Sequence, residues 1–163
     1  MEKREKLGSI CFDNLTINYE EINCQEFEIK HKQLSAVSAD GEEMSYINFR
    51  ILGDYVWLLK VETHKKFQHH GLASKLMYVL EHIASQSGAK YIEGKYHPFN
   101  EYAPLFYKKH DFPIPNESAS EDEFDDTWRL SKELDPVLVE QNYNTLIADA
   151  IKVDLEIGSQ RNK

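Results

Sequence analysis

Residues 55–88 read YVWLLKVETHKKFQHHGLASKLMYVLEHIASQSG, and the hydrophobic period changes within this stretch. Residues 55–63 are rich in aromatic and β-branched side chains and are largely apolar on both faces up to Lys60, which predicts a central strand. Residues 71–87 repeat apolar side chains at helical spacing, and Gly88 follows as a helix-ending glycine. The stretch therefore predicts a buried strand that runs through a short loop into an amphipathic helix.

The segments on both sides complete an α+β fold. Further strands are predicted at residues 10–18, 27–37, 44–51, 90–96 and 127–134, and further helices at residues 100–109 and 137–157. The turn signals Ala39-Asp40-Gly41-Glu42 and Leu52-Gly53-Asp54 predict hairpins, and hence a mostly antiparallel sheet. The crossover through the helix at residues 71–87 favours one parallel pair. We expect one domain at residues 1–134 and a helical tail at residues 135–163.

The composition excludes several classes of protein. The 163 residues carry 28 Asp and Glu against 19 Lys and Arg, a formal net charge of −9, without the basic cluster that a nucleic-acid partner requires. The charged start MEKREKLGSI has no apolar signal region, and no stretch reaches the roughly 18 apolar residues of a membrane span. Cys11 and Cys24 form no CxxC pair, which favours reduced thiols. We expect a cytoplasmic protein whose acidic surface attracts cationic molecules or basic peptides.

The loop between the strand and the helix is the predicted site of chemistry. A helix N-terminus presents free backbone N–H groups and a partial positive charge, which suit a pyrophosphate. Gly71 lets phosphate oxygens approach the backbone closely, Ala73 is small, and Gln68 has an amide that can donate. A single glycine in a loop is a weak signal when it stands alone.

Two sequence motifs, found in the same order as in a known family, strengthen the prediction of a coenzyme site at this loop. Gln-x-x-Gly-x-Ala at residues 68–73 resembles the acetyl-CoA loop of the GNAT (GCN5-related) N-acetyltransferases, whose pattern is Arg/Gln-x-x-Gly-x-Gly/Ala. NEYAPLFYKKHDF at residues 100–112 is similar to the second motif of that family, N-x-x-A-x-x-F-Y-x-K-x-G-F. The matching positions are Asn100, Ala103, Phe106, Tyr107, Lys109 and Phe112. The resemblance covers about residues 44–134.

The resemblance implies a central strand that splays from its parallel neighbour and leaves a V-shaped opening for acetyl-CoA. The pantetheine arm would pair with the backbone around Val61 and Thr63, and Asn100 would hold the arm from the next helix. Tyr107 would protonate the leaving thiolate. The pyrophosphate would lie on the loop, near the side chain of Gln68 and on the amides of His69, His70, Gly71, Leu72 and Ala73.

The same resemblance implies direct acetyl transfer to a primary amine of a small molecule or of a peptide or protein. Such an amine must first lose a proton, and Glu62 and Glu93 are the two candidate bases, acting directly or through water. A backbone N–H near Thr63 would polarise the thioester carbonyl. The alternative function is a non-catalytic acyl-CoA-binding module that acts as a sensor or scaffold.

The sequence departs from the family pattern at two positions and in its N-terminal part. His69 stands where many members have glycine, and Asp111 stands where the second motif has glycine, which a left-handed Asp can replace. The histidines lack a metal-binding spacing, so no metal is expected, and His97 is an alternative lining residue of the acceptor pocket. Residues 18–27 leave little room for the two helices that usually cover the acceptor side. The acceptor groove would then be open to a peptide, covered by the tail helix, or completed by a partner subunit in a homodimer.

Overall fold

The computed structural model of the protein describes residues 2–24, 29–96, 103–113 and 128–155. The strands are β1 (Glu2–Cys11), β2 (Leu15–Cys24), β3 (Ile29–Ser38), β4 (Glu43–Leu52), β5 (Tyr55–Thr63), β6 (Tyr91–Tyr96), β7 (Trp128–Glu133) and β8 (Lys152–Leu155). The α-helices are α1 (Leu72–Gln86), α2 (Ala103–Lys109) and α3 (Pro136–Ile147). A single 3₁₀ turn, Lys65–Phe67, links β5 to the loop before α1.

The described strands form one sheet in the order β7-β6-β5-β4-β3-β2-β1-β8. Every neighbouring pair is antiparallel except β5 and β6, which are parallel. The predicted α+β class, a mostly antiparallel sheet with one parallel pair and flanking helices, is confirmed. The predicted strand at residues 55–63 has the bounds of β5, and the predicted helix at residues 71–87 differs from α1 by one residue at each end.

Helix α1 builds the core against one face of the sheet. Its apolar stripe is fully buried, with Leu76, Met77, Val79, Leu80, Ile83 and Ala84 at 0% exposure. The sheet opposes this stripe with Ile47, Phe49 and Val56, which are also fully buried. Burying each such side chain contributes about 1.5–3 kcal/mol. The packing therefore fixes α1, and with it the loop before α1, relative to β4 and β5.

The prediction of a single strand at residues 10–18 was wrong. The chain reverses between β1 and β2 with Phe12 N donating to Leu15 O at 2.8 Å, so the N-terminal part is a hairpin of two ten-residue strands. Residues 2–6 of β1 are exposed and charged, and they pair with residues 20–24 of β2. A strand segment that is charged and solvated on both faces shows no alternation of polar and apolar side chains. The hydrophobicity pattern therefore does not predict this strand.

The prediction of a helix at residues 137–157 was correct only as far as Ile147. Asp135 caps α3 by accepting from the N–H groups of Val137 and Leu138. Residues 152–155 then form β8, which pairs antiparallel with β1 at the edge of the sheet. Helix α3 packs on α1 through stacked rings of His82 and Tyr143, whose centroids are 3.6 Å apart. The boundary at residue 134 stays a proposal, and the tail carries a strand in addition to its helix.

Candidate functional site

The parallel strands β5 and β6 pair over only four residues. Tyr55 to Leu58 face Tyr91 to Gly94, whereas the rest of β5, up to Thr63, has no partner strand on that side among the described residues. On its other side β5 stays paired with β4 up to Thr63. The described structure thus has the predicted splay, with an edge of β5 facing an opening after Leu58.

Two local features mark the point where the strands separate. The register of β4 and β5 shifts there, because Asn48 faces Lys60 while Phe49 faces Leu58, which leaves Leu59 as a bulge residue. A bulge bends its strand and increases the local twist. In β6, a Cβ atom on Gly94 would lie 3.0 Å from the Cβ of Leu58. The glycine therefore permits the last close pair before the opening.

Helix α1 begins beside this edge at a glycine. Gly71, the N-cap residue, is left-handed with φ 73° and ψ 16° and makes no side-chain capping hydrogen bond. The first α-helical hydrogen bond runs from Lys75 N to Gly71 O at 3.1 Å, so the N–H groups of Leu72, Ala73 and Ser74 precede it. The first turn of α1 has no acidic residue. This helix N-terminus is therefore suited to an anion.

The loop before α1 is held to β5. Gln68 Nε2 donates to Thr63 O at 3.3 Å, so one of its amide hydrogens is used inside the protein. His69, where the family often has glycine, adopts φ 69°. A left-handed conformation is costly for a residue with a Cβ, which makes this loop strained. Asp111 is left-handed as predicted, with φ 64°.

The edge of β5, the start of α1 and helix α2 border one cleft of about 590 Å³. The strand residues that line it are Leu58, Leu59, Lys60, Val61, Glu62 and Thr63. The loop and α1 contribute Phe67, Gln68, His69, Gly71, Leu72, Ala73 and Ser74, and Lys95, Ala103, Phe106 and Tyr107 complete the lining. Most of the sequence-predicted site residues therefore lie around one opening.

Tyr107 enters the cleft from α2. Its side chain is 6% exposed and packs edge-on against Phe106 and Phe112, with ring centroids 5.2 and 5.3 Å away. The turn after α2 is closed by Phe112 N donating to Tyr107 O at 2.9 Å. The aromatic packing and this turn fix the position of the ring at the wall of the cleft.

Glu62 lies on the cleft with its carboxylate held by two neighbours. Tyr46, the residue on β4 that faces Glu62, donates a hydrogen bond from its hydroxyl to Oε2 of Glu62. Lys60 Nζ lies 3.2 Å from the same oxygen. The hydrogen bond from Tyr46, followed by the one from Lys60, lowers the pKa of Glu62. Glu62 therefore stays ionised at neutral pH.

Three predicted site residues are not placed in the cleft. Glu93 lies in the paired part of β6, opposite Trp57 and Ser131, and is not among the lining residues. His70 borders a separate hollow with Met44 and Lys75. Asn100 lies outside the described residues, as does His97.

Sequence reasoning missed a buried polar cluster behind the cleft. His110 is 3% exposed, and its Nε2 lies 2.9 Å from Oγ of Ser74, which lines the cleft. Glu81 lies behind it, with Oε1 3.9 Å from His110 Nδ1 and 3.2 Å from Lys132 Nζ. Burial raises the pKa of Glu81 and lowers that of His110 to about 3. The signal in the sequence that could have revealed this cluster is Glu81, a charged residue between Leu80 and Ile83 of the apolar stripe.

This cluster predicts a pH-dependent stability. Neutral His110 must gain a proton on unfolding once the pH falls below its ordinary pKa of 6.5. The unfolded state then binds more protons at this residue, so the contribution of His110 to the free energy of unfolding falls as the pH drops from about 6.5 to 3, by up to about 1.4 kcal/mol per pH unit. We expect His110→Gln to remove much of this slope in urea unfolding followed by circular dichroism. Equal slopes for the two proteins would contradict a neutral His110.

Comparison with known proteins agrees with this geometry. The model of the acetyltransferase (GNAT) family matches residues 6–112, which is more than half of the chain. The chain belongs to the GNAT family. No curated protein is significantly similar to it in sequence. The GNAT match includes the splayed strand, the loop before α1 and helix α2.

Solved GNAT structures share the fold. The PaiA N-acetyltransferase from Thermoplasma acidophilum, in complex with coenzyme A, is 22% identical with a TM-score of 0.54, covering 63% of this chain and 60% of its own. A Bacillus subtilis acetyltransferase in complex with CoA is 19% identical with a TM-score of 0.53, covering 64% and 77%. The ribosomal-protein-S18-alanine N-acetyltransferase from Escherichia coli is 14% identical with a TM-score of 0.53, covering 63% and 68%. At these identities the likeness shows the fold alone.

Two searches of the described residues concern other kinds of site. None of the described helices combines the length and the apolar character needed to cross a membrane. The described part of the chain also contains no group of three or more His, Cys, Asp or Glu side chains arranged to hold a metal ion.

Proposed function

We propose that the protein transfers the acetyl group of acetyl-CoA directly to a primary amine of a small molecule or a peptide. The observation that carries this proposal is the meeting of the edge of β5 with the start of α1 at Gly71 in one cleft. The first feature offers backbone groups to an amide-bearing arm, and the second offers N–H groups to a diphosphate. The two solved GNAT structures with coenzyme A bound support the same ligand.

In this proposal the cleft binds the coenzyme along its length. The pyrophosphate lies on the amides of His69 to Ala73 with Gln68 beside it, and the pantetheine arm pairs with Val61 and Thr63. Asn100, outside the described residues, keeps its proposed contact with the arm. The absence of an acidic residue from the first turn of α1 supports this placement, because a carboxylate there would repel the phosphates.

The chain's residues then position and protonate the reacting groups. The neutral amine nitrogen attacks the thioester carbonyl carbon, so that a C–N bond forms and the C–S bond breaks. Holding amine and thioester together supplies much of the rate. Tyr107 donates a proton to the departing sulfur, and the proton lost by the amine passes to a base. Glu62 is the stronger candidate for that base, because it lines the cleft and Glu93 does not.

The proposal is tested by following thiol release from acetyl-CoA with a panel of primary amines. We expect release that depends on the amine and an acetylated product detectable by mass spectrometry. Tight binding of coenzyme A by calorimetry, with no release for any amine, would instead favour a sensor or scaffold.

The choice of base gives a matched pair of variants. We expect Glu62→Gln to lower kcat by about tenfold, a modest loss because water in the cleft can also accept the proton. Glu93→Gln makes the same chemical change on the paired part of β6 and should leave kcat unchanged. Steady-state thiol release with the best amine measures both. A larger loss of kcat for Glu93→Gln than for Glu62→Gln would show that Glu93 is the base instead of Glu62.

A further inference from the structure

Lys60 is an amine built into the wall of the cleft. It lies on the part of β5 that has separated from β6, next to Val61, and it is among the lining residues. Its side chain is 58% exposed, so it can move within the opening. In the proposed function, the backbone of this same stretch pairs with the pantetheine arm. Lys60 therefore borders the space in which the thioester is proposed to lie.

The groups needed for transfer surround this nitrogen. Lys60 Nζ lies 3.2 Å from Oε2 of Glu62, the proposed base, and 5.8 Å from the centroid of the Tyr46 ring. Tyr107, the proposed acid, lines the same cleft. The amine, its paired carboxylate and the proposed acid for the leaving sulfur thus border a single cavity.

Lys66 provides a comparison within the same chain. Its Nζ lies 2.7 Å from Oε1 of Glu42 and 5.0 Å from the centroid of the Phe67 ring, and its side chain is 66% exposed. It therefore has the same kind of carboxylate and aromatic neighbours as Lys60. Lys66 is not among the residues that line the cleft. A reaction in free solution would modify Lys60 and Lys66 similarly, whereas a reaction inside the cleft would select Lys60.

We propose that Lys60 is a self-acetylation site, modified in cis by acetyl-CoA bound in the cleft of the same molecule. This inference rests on the proposed function. Lys60 Nζ, paired with Glu62, loses its proton to water, and the neutral amine then attacks the thioester carbonyl carbon. The C–N bond forms, the C–S bond breaks, and Tyr107 protonates the sulfur, giving N-acetyl-lysine and coenzyme A. No further reactant is required.

Acetylation would change the rim of the cleft. It removes the positive charge of Lys60, and with it the ion pair to Glu62 and the contact over Tyr46. An external ammonium group would then meet Glu62 without competition from Lys60. The modification would thus prepare the acceptor side for a cationic amine.

The test incubates the purified full chain with acetyl-CoA alone and follows acetylation of each lysine by peptide mass spectrometry. We expect Lys60 to be acetylated at least about a hundredfold faster than Lys66, because the tethered amine reacts as an intramolecular group. The rate constant should not depend on protein concentration. Tyr107→Phe should slow the labelling, and Gly71→Glu should abolish it. Circular dichroism of each variant checks that it is folded.

The outcomes separate this inference from the proposed function. Labelling of Lys60 no faster than that of Lys66, or at a rate proportional to protein concentration, overturns self-acetylation in cis. If that happens while amines still release thiol, the proposed transferase function stands. If Lys60 is labelled rapidly and no external amine reacts, self-acetylation stands and transfer to external amines falls.

Discussion

The Gly71→Glu variant is expected to lose coenzyme binding almost completely, with Kd for coenzyme A rising at least about a thousandfold, or about 4 kcal/mol. A carboxylate at this position would lie at the start of α1, where the pyrophosphate is proposed to bind, and would repel it. Calorimetric titration with coenzyme A measures the change.

A matched control separates this effect from backbone strain. Gly71 has φ 73° and Gly41 has φ 89°, and a Cβ added at either glycine meets no atom within 4 Å. Both substitutions carry the left-handed cost of about 1–2 kcal/mol, yet Gly41 lies in the β3–β4 turn and does not line the cleft. Gly41→Glu should therefore bind coenzyme A normally. Equal affinities for the two variants would place the diphosphate elsewhere.

The Tyr107→Phe variant is expected to lower kcat by about a hundredfold while leaving Kd for coenzyme A near the original value. The substitution keeps the ring and its packing against Phe106 and Phe112 and removes the proposed proton donor. General acid catalysis typically contributes about a hundredfold or more. Thiol release measures kcat, and titration with coenzyme A measures Kd.

Tyr143 offers the control for this variant. It is also 6% exposed, but it lies on α3 and stacks on His82 away from the cleft. Tyr143→Phe removes a buried hydroxyl of the same kind and should leave kcat intact. A loss of coenzyme affinity in Tyr107→Phe with unchanged kcat would show that Tyr107 has a structural role instead.

The central part of the fold could be predicted because its local signals agree with its tertiary environment. Strand β5 is apolar on both faces and lies inside the sheet, and α1 has an apolar stripe of the width that it buries. The turns at Asp40-Gly41 and Gly53-Asp54 have their glycines at φ 89° and 71°, as hairpin turns require. Local chemistry was sufficient for these elements.

The ends of the chain could not be predicted, because long-range pairing decides them. The apolar residues after Ile147 continue a helical spacing, but Ile151 N instead donates to Cys11 O at 2.7 Å and leads into β8. No local pattern encodes a partner about 140 residues earlier in the sequence. The first half of β1 also gives no strand pattern, because its residues are charged and exposed, and they pair with β2.

The sequence indicates which backbone segments border the cleft better than it indicates the side-chain contacts around it. The loop and strand positions follow from motif order, and they border the cleft as a group. The network of Ser74, His110 and Glu81 depends on how α1 and the turn after α2 pack together, which spacing along the chain does not give. The proposed preference for Glu62 over Glu93 likewise depends on where the parallel strands separate.

Strand β8 has a consequence for the solubility of the protein. It is only four residues long, carries Lys152 and Asp154, and covers β1 from Gly8 to Cys11, a stretch that is mostly buried. Short, charged outer strands discourage intermolecular strand addition, whereas a bare apolar one templates it. Strand β8 therefore protects the edge of β1 from intermolecular strand pairing. We expect removal of the segment after α3 to expose that apolar edge and to promote aggregation.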